Sequence, residues 1–307
     1  MPRLMYCRPI LVILVLTTLA SDPASAQEED RFKDVQIETV KLAEGIYMLK
    51  GEGGNIGVSA GEDGVFLIDD QFAPLTDRIK AAIAKISDKP IRFVFNTHWH
   101  GDHTGGNENL GKAGAAIVAH DNVYARMSKE NVMEAFNMKV PPAPKAALPV
   151  ISFNDTVTFH LNGQEIHTRH YPHSHTDGDS VVHFRERNVV HTGDIFFNQS
   201  YPFIDSGSGG SIDGLIATVK DMLTWVDGKT KIIPGHGPVT DRKAMEAYLE
   251  FLVTVRSRIG DLVDEGKSME EAVAAKPLAD YDATLGKGFL STDKFVEIVY
   301  RGLAKKP

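Results

Sequence analysis

The chain has 307 residues, of which 42% are hydrophobic, and a formal net charge of −8 at pH 7. This length allows one large domain or two small ones. The acidic balance argues against nucleic acid as a partner, because phosphate binding needs a basic surface.

The N-terminal segment has the pattern of a secretory signal peptide. Two arginines precede an apolar run over residues 9–16, and Ala24-Ser25-Ala26 provides the small residues of a cleavage site. A membrane anchor is the weaker interpretation, since the run is too short to span a bilayer comfortably. We predict a signal peptide at 1–26 and export to a periplasm, with full secretion as the alternative.

Residues 27–307 are predicted to be a single mature domain that no longer contacts a membrane. Their net charge is −9, because the removed segment carries two arginines and one aspartate. The only cysteine, Cys7, is also removed. The mature chain therefore offers no disulfide and no thiolate metal ligand.

Short apolar or alternating segments separated by glycine turns predict a first set of strands. The predicted elements are strands at 35–41, 46–50, 56–60 and 65–69, a helix at 74–86, strands at 91–96 and 115–119, and a helix from Asp121. Four prolines between residues 141 and 149 predict an irregular connection to the second half.

The second half repeats this arrangement and ends in helices. We predict strands at 157–161, 164–171, 180–185 and 188–191, a helix at 212–225 and a short strand at 231–233. Further helices are predicted at 241–264, 269–275 and 293–304, so that residues 240–307 form a C-terminal helical part. Two sets of strands with helices between and after them favour two stacked sheets with helices on the outer faces.

Good metal ligands follow four of the predicted strands. The strand at 91–96 leads directly into HWHGDH, residues 98–103. Three later strands are followed by His175, Asp194 and His236, each close to a glycine or a small polar residue. Because open sheets collect their sites at strand ends, we expect these side chains to meet.

The residue types indicate a pair of zinc ions. Imidazole and carboxylate are both zinc ligands, and a catalytic zinc keeps one position for water. His98 and His100, two apart in an extended segment, point the same way and can bind one ion. Asp102 and His103 can bind a second. Histidines that stand alone are interpreted as ordinary surface or core residues: His120, His160, His167 and His183.

Taken together, these motifs resemble those of the metallo-beta-lactamase superfamily. HWHGDH matches its H-x-H-x-D-H motif, and the segments SHT, TGD and PGHG match its later motifs in the same order. The segment FLID, which ends at Asp69, is similar to its early strand with an aspartate behind the ligands. The likeness extends from about residue 40 to residue 240.

The resemblance implies an α/β fold, the four-layer αββα sandwich of that superfamily, and a binuclear site. One metal would be bound by His98, His100 and His175, and the other by Asp102, His103 and His236. Asp194 would bridge the two, and Asp69 would support a ligand from behind. Two Zn²⁺ ions are expected, with iron and manganese as the alternatives.

Asp194 distinguishes between branches of the family. The commonest secreted metallo-beta-lactamases have a cysteine where this chain has Asp194, and other beta-lactamases of the superfamily generally lack the bridging aspartate. The full set is more similar to the lactonase, hydroxyacylglutathione hydrolase and sulfatase branches. Persulfide dioxygenases of the superfamily use one iron with similar residues, so that iron stays open.

We therefore expect a hydrolase in which a metal-bridging hydroxide attacks a small ester, lactone or lactam, with beta-lactam turnover included. Zinc lowers the pKa of bound water to roughly 7, so hydroxide is available at neutral pH. Asp102 is the expected catalytic residue, which orients the hydroxide, and a slightly positive site favours a small anionic substrate. The alternatives are a sulfate- or phosphate-ester hydrolase, a mononuclear iron dioxygenase and a non-catalytic metal-binding accessory protein.

Candidate substrate-binding residues lie near the ligands in sequence. Tyr201 and Phe203 belong to an aromatic stretch that follows Asp194 and runs into a Gly/Ser segment, and His173 is two residues from His175. The alternative interpretation of the stretch is a loop that leads into a helix capped by Ser211.

Overall fold

Strand pairing organises the chain around two β-sheets. The computed structural model describes Met1 and residues 31–305, so the predicted signal peptide, apart from Met1, lies outside the described residues. By its contacts the chain divides into residues 1–34 and residues 35–307, and every element below belongs to the second unit.

The first sheet has seven strands, numbered along the chain: Glu38–Ala43 (β1), Ile46–Lys50 (β2), Ile56–Gly61 (β3), Gly64–Ile68 (β4), Ile91–Asn96 (β5), Ala116–His120 (β6) and Ile151–Phe153 (β9). Strands β1 to β4 pair as antiparallel neighbours, and β4, β5, β6 and β9 pair in parallel. Every residue of β4 is buried. Its uninterrupted apolar sequence is typical of a strand covered on both faces.

A small hairpin precedes β9 and consists of Asn131–Met133 (β7) and Met138–Val140 (β8). The second sheet has five strands in spatial order: Thr156–Leu161 (β10), Gln164–His170 (β11), Ser180–Phe184 (β12), Val189–His191 (β13) and Lys231–Ile233 (β14). Strands β10 to β13 are antiparallel, and β14 runs parallel to β13.

Apolar side chains of the two sheets meet in one buried cluster. Phe66 and Phe95 of the first sheet pack there with Val182 and Phe184 of the second. Because burying apolar area is the main favourable contribution to folding, this shared interior holds the sheets face to face. It fixes the position of the strand ends on which the ligands lie.

Helices cover the outer faces of the sheets. They are Thr76–Ala84 (α1), Gly101–Thr104 (α2), Asn107–Lys112 (α3), Asp121–Met127 (α4), Ile212–Met222 (α5), Arg242–Asp264 (α6), Met269–Ala274 (α7), Asp282–Leu285 (α8) and Thr292–Ala304 (α9). Helices α5, α6 and α9 share a buried cluster with Val181 and Val190 of the second sheet. The predicted α/β sandwich with C-terminal helices is confirmed.

The structure corrects several predicted boundaries. The strand predicted at 65–69 ends at Ile68, because Asp69 adopts a left-handed conformation with φ of 62°. The strand predicted at 35–41 lies at 38–43 instead. The hairpin β7–β8 and strand β9 were not predicted, since Phe153 is the one buried side chain among these three strands.

Ser211 caps helix α5 as the second interpretation of its segment predicts. The Ser211 side chain accepts a hydrogen bond from the backbone N–H of Gly214. The helix ends at Met222, earlier than the predicted Trp225. Among the helices of residues 31–305, none combines the length and the apolar composition that crossing a membrane requires.

Candidate metal centre

Seven predicted ligands converge where four strands end. They form two groups, within each of which the ligand atoms all lie within 4.8 Å of one another. The first group contains His98, His100, His175 and Asp194, and the second contains Asp102, His103 and His236. The sequence brings them together because β5, β11, β13 and β14 each end beside a ligand-bearing loop.

A change in backbone conformation separates the two groups within the segment HWHGDH. His98 lies in the bend that leaves β5 and His100 has an extended backbone, whereas Asp102 and His103 lie in the short helix α2. Six consecutive residues therefore supply both groups, which remain close together, since the ring centroids of His98 and His103 lie 4.2 Å apart.

The first group is a cluster of imidazole nitrogens. His175 Nε2 lies 2.9 Å from His100 Nδ1. Asp194 Oδ2 lies 3.6 Å from His175 Nε2 and 3.7 Å from His98 Nε2. All four side chains are buried.

The second group is more open to solvent. His236 Nε2 lies 3.3 Å from Asp102 Oδ2 and 3.4 Å from His103 Nε2. The side chains of Asp102 and His236 are 28% and 26% exposed. Ligands of the first group are at most 4% exposed, so a small molecule would approach from the side of Asp102 and His236.

Asp194 lies between the groups and faces one with each oxygen. Its Oδ1 lies 3.0 Å from His103 Nε2 and 3.4 Å from His236 Nε2. Its Oδ2 faces His98 and His175 at the distances given above. This arrangement suits a carboxylate that bridges two cations.

Hydrogen bonds behind His103 and His98 orient their rings. His103 Nδ1 donates to Asp69 Oδ2 over 2.7 Å, which leaves Nε2 to face the cluster. Asp69 is itself held by Thr97, whose backbone N–H and hydroxyl both donate to its carboxylate over 2.8 Å. The Thr97 hydroxyl also lies 3.0 Å from His98 Nδ1. The structure thus brings Asp69 to the back of a ligand.

His100 and His175 are oriented by residues that follow Asp194 in the chain. His100 Nε2 donates to Asp205 Oδ2 over 3.0 Å, and His175 Nδ1 donates to the carbonyl oxygen of Phe203 over 2.7 Å. Hydrogen bonds of this kind fix the tautomer of a metal-binding histidine and raise its basicity. In both rings the remaining nitrogen, with its lone pair, faces the first group.

The ring nitrogens of the first group fit a metal ion. Buried polar atoms normally have a hydrogen-bond partner, yet His98 Nε2 is buried without one among the described residues. The lone pairs of His98, His100 and His175 point at a shared space from three sides. A cation would satisfy all three nitrogens, so the donor set fits a metal.

The pKa values of the cluster divide it into neutral and charged parts. Burial lowers the pKa of His98 well below its usual range, and it lowers that of His175 to about 4. Burial also opposes charge on His236, but Asp194 and Asp102 outweigh it and raise the pKa of His236 to about 9. Without metal, the second group therefore holds a proton that a cation would displace.

The carboxylates of the site stay ionised. Burial favours the neutral form of Asp102, but His103 and His236 lower its pKa to about 2. Burial also acts on Asp194, and His103, His236 and His98 outweigh it, holding the pKa well below the usual range. Both side chains are therefore anionic ligands at neutral pH.

The loop before β3, which contains Gly54 and Asn55, contacts His103 and the turn that carries His236. Gly54 approaches so closely that a Cβ there would lie 2.1 Å from His103 Cε1. The Asn55 amide donates to the carbonyl oxygens of Pro234 and Gly237, over 2.9 and 2.8 Å, and so anchors the turn that carries His236. His191 is buried and donates to the Asn55 carbonyl over 3.0 Å.

The three candidate substrate-binding residues have different surroundings. Phe203 is buried, and its ring centroid lies 5.6 Å from those of His100 and His175. Tyr201 is instead buried in the helical core, where its ring stacks on Phe295 with centroids 4.8 Å apart. His173 is exposed, and its Nδ1 lies 3.1 Å from the Gly209 carbonyl oxygen.

The structure therefore brings only Phe203 of these three into contact with ligands. The described contacts of Tyr201 are with the C-terminal helices, including a hydrogen bond from Thr292. Its aromatic character is explained by core packing. His173 lies in the turn that follows β11, and its carbonyl oxygen accepts a hydrogen bond from the side chain of Ser211, the residue that caps α5.

Two buried aspartates that support the site were not predicted. Asp205 holds His100 as described, and Asp179 accepts hydrogen bonds from the backbone N–H groups of His175 and Thr176 over 2.6 and 2.8 Å. Burial raises the pKa of Asp179 to about 7. In the sequence, the one indication that Asp205 supports the site is its position soon after Asp194, at the end of the aromatic stretch.

Comparison with known families matches the same part of the chain. The family model described as the metallo-beta-lactamase superfamily matches residues 49–240. That range contains the seven ligands together with Asp69 and Asp205.

Curated relatives have moderate identity to part of the chain. A hydroxyacylglutathione hydrolase of Polaromonas sp. is 29% identical over 166 residues, 53% of this chain and 55% of that protein. The metallo-beta-lactamase type 2 of Bacillus cereus is 22% identical over 191 residues, 62% of this chain and 69% of that protein. The chain thus spans about half the length of the hydroxyacylglutathione hydrolase.

Solved structures share the fold at low identity. A metallo-beta-lactamase from Pontibacter korlensis superposes with a TM-score of 0.59 at 18% identity, over 71% of this chain and 99% of that chain. A stereoselective inverting sec-alkylsulfatase from Pseudomonas sp. superposes with a TM-score of 0.64 at 16% identity, over 86% of this chain and 50% of that one. At these identities the likeness concerns the fold alone.

Proposed function

The chain belongs to the metallo-beta-lactamase superfamily, and from this premise we propose that it is a binuclear metal-dependent hydrolase of a small ester, lactone or lactam. The observation that carries the proposal is the position of Asp194. One of its oxygens faces each ligand group, at 3.0 Å from His103 Nε2 and 3.6 Å from His175 Nε2. A carboxylate in this position supports two ions rather than one.

We propose zinc as the metal in both positions. The donor set is five imidazoles and two carboxylates, which are ligands that zinc accepts. The first ion would be held by His98, His100 and His175, the second by Asp102, His103 and His236, and both by Asp194. Bound zinc supplies Lewis acidity and lowers the pKa of a coordinated water to about 7.

Asp102 is the proposed catalytic residue. Its Oδ2 faces His236 and His103, which leaves Oδ1 to accept a hydrogen bond from the attacking water. The carboxylate is ionised at neutral pH, since its pKa is about 2, and it lies on the more exposed side of the site. It can therefore orient the water and hold its proton until the leaving group departs.

The ester-like substrate class is supported by the bridging aspartate and by the relatives. The Polaromonas protein is named for hydrolysis of a hydroxyacylglutathione, a thioester. Cleavage of an ester, thioester, lactone or lactam requires the same step, attack of water on a carbonyl carbon. We propose a small substrate with an anionic group, which the cations of the loaded site would attract.

The test is hydrolysis of a substrate panel by the purified, zinc-loaded full chain. The panel contains an aryl ester, a lactone, a chromogenic cephalosporin, an aryl sulfate and an aryl phosphate. We expect chelator-sensitive cleavage of at least one carbonyl substrate with kcat/KM above about 10⁴ M⁻¹s⁻¹, the low end for a real substrate. Metal content, measured on the same sample, should be two ions per chain.

Three results would contradict the proposal. Cleavage that survives complete removal of metal would exclude a metal-dependent reaction. Turnover of the sulfate or phosphate ester alone would replace the substrate class. A protein that holds two ions per chain and cleaves nothing in the panel would favour a metal-binding accessory role.

We also propose that the chain is exported. The support is sequence: the basic start, apolar run and Ala-Ser-Ala site of residues 1–26. Expression of the full chain in a bacterium, followed by fractionation and N-terminal sequencing, should give a periplasmic protein that begins at Gln27. An unprocessed cytoplasmic product that begins at Met1 would contradict export.

A further inference from the structure

A cavity lies on the outer face of the second sheet, lined by residues other than the candidate metal ligands. Its volume is about 280 Å³, and its main lining residues are two histidines, two arginines and two aromatic residues: His167, His183, Arg169, Arg185, Tyr171 and Trp225. None of these is a predicted metal ligand. Two of them are histidines that the sequence alone assigned to ordinary surface or core positions.

The sheet separates this cavity from the core between the sheets. Successive side chains of a strand point to opposite faces. Ile166 and Val182 directly precede His167 and His183 in their strands, and they lie in the buried cluster between the sheets. The histidines therefore face away from the sandwich interior.

The two imidazoles lie side by side on neighbouring strands. His167 of β11 and His183 of β12 are directly paired in register, which places their Cβ atoms about 5 Å apart. His167 Nδ1 lies 3.0 Å from the Thr158 hydroxyl. His183 stacks on Trp225, with ring centroids 5.2 Å apart and 29° between the planes.

Burial keeps both imidazoles neutral at physiological pH. It lowers the pKa of His167, and it lowers that of His183 to about 4, with Arg185 contributing in the same direction. A neutral imidazole carries one N–H donor. The histidines can thus donate hydrogen bonds in the cavity without adding charge.

Ion pairs hold the two guanidinium groups in place and leave donors available. Arg169 Nη1 donates to Asp221 Oδ2 over 2.9 Å, and its guanidinium lies 4.8 Å from the centroid of the Tyr171 ring. Arg185 Nη1 donates to Glu165. A guanidinium has five N–H donors, and the hydrogen bonds of these two arginines to described residues use Nη1 alone.

The cavity therefore presents donors and flat aromatic surfaces. No acidic side chain is among the described residues that line it. A ligand that fits must supply acceptors for guanidinium and imidazole N–H groups. It must also be planar in part, because the indole of Trp225 is a flat surface suited to stacking.

We propose that this cavity binds a small planar anion of the aromatic carboxylate class, separately from the metal centre. The carboxylate would accept hydrogen bonds from Arg185 and Arg169, which match its geometry in a bidentate manner. The ring would pack on Trp225. The proposal does not depend on the hydrolase activity and would survive its failure.

The test is calorimetric titration of the metal-loaded full chain with 2-naphthoate. Two further probes separate the contributions: 2-naphthamide keeps the ring without the charge, and acetate keeps the charge without the ring. We expect 2-naphthoate to bind about tenfold or more tightly than either, since it alone combines charge-assisted hydrogen bonds with a stacked ring.

A matched pair of arginine variants locates the binding. Arg185→Gln should weaken 2-naphthoate binding about tenfold or more, whereas Arg187→Gln, in the same turn but paired with Glu44 outside the cavity, should leave it unchanged. Both variants should hydrolyse the substrate panel at the wild-type rate. Trp225→Leu should reduce the preference for 2-naphthoate over acetate.

Several outcomes would overturn the proposal. Unchanged affinity in Arg185→Gln would mean that the carboxylate binds elsewhere, for example at the metal centre. Equal weakening in both arginine variants would indicate diffuse charge attraction. Uptake of Zn²⁺ by the histidine pair, lost in His183→Ala and accompanied by no 2-naphthoate binding, would assign the cavity to a cation.

Discussion

Replacing Asp205 with asparagine tests how the first ligand group is held. The Asp205 carboxylate is 1% exposed and accepts the Nε2–H of His100 over 3.0 Å. It is ionised, because its hydrogen bond with His100 outweighs burial and lowers its pKa to about 2. Asparagine keeps the size and one acceptor oxygen but removes the charge behind His100.

The expected effect follows from the strength of this hydrogen bond. A hydrogen bond to a charged group contributes about 1.5–3 kcal/mol, and losing an outer partner of a metal-binding histidine typically costs about 10–100-fold in metal affinity. We expect Asp205→Asn to lower the affinity for the first ion by a factor in that range, which corresponds to about 1.4–2.7 kcal/mol of binding free energy. The second ion, whose ligands do not contact Asp205, should be nearly unaffected.

The assay is competition with a chromophoric chelator, combined with metal counting after dialysis. Asp213→Asn is the matched control, since it removes the same charge from an exposed carboxylate of α5 that pairs with Arg256 over 3.0 Å. Chemical denaturation of the metal-free proteins checks that the variant is folded. The spectrum of the cobalt-substituted protein reports directly on the ligands of the first ion.

Two results would refute this reasoning. If Asp205→Asn bound the first ion as tightly as Asp213→Asn did, the hydrogen bond to His100 would have no role in metal binding. If both ions were weakened together and the metal-free protein unfolded more easily, Asp205 would act on the loop as a whole.

Four further predictions concern the same centre. Asp102→Asn should lower kcat by about 100-fold or more with little change in the first ion, because it removes the carboxylate that orients water; kcat and metal content measured together check this, and near wild-type kcat would contradict it. Asp194→Ala should reduce bound metal from two ions to one, as counted by atomic emission, and retention of both would show that the bridge is dispensable. Gly54→Ala should displace His103, weaken the second ion and destabilise the chain by about 1–3 kcal/mol, the usual cost of overpacking, as measured by denaturant titration against the wild type. In the metal-free chain the pKa of His236 is raised to about 9, so its contribution to the free energy of unfolding is present below about pH 6.5 and lost as pH rises through 9. With metal bound, stability should instead increase over this pH range. Thermal melts at several pH values, with and without chelator, would distinguish the two pH dependences.

The two groups of candidate ligands could be predicted because few residue types bind metal ions. Histidines and aspartates beside glycines at four strand ends are typical of a metal site, and the sequence placed His98 with His100 and Asp102 with His103. The same division is seen in the structure. The central strands were also predictable, since an apolar run such as β4 is typical of a strand buried on both faces. Strands β7 and β9 could not be predicted, because only one of their six side chains is buried, whereas the equally short strand β14 has two buried isoleucines.

The residues behind the ligands could not be predicted in the same way. Gly54 is one of 27 glycines, and its role depends on a contact with His103, which is 49 residues away in sequence. Asp179 and Asp205 are ordinary aspartates until folding buries them beside backbone N–H groups and an imidazole. Their function arises from tertiary proximity, which residue type and spacing do not encode.

The stretch from Tyr201 to Asp205 shows where the limit lies. Its composition and its position after Asp194 indicate a segment close to the site, and this holds for Phe203 and Asp205, which contact His100. Tyr201 points into the helical core instead, where helix α9 provides the ring of Phe295 and the hydroxyl of Thr292. What separates Tyr201 from Phe203 is therefore the position of a helix that begins about 90 residues later. Only the packing of that helix decides which aromatic ring supports the ligands and which one belongs to the core.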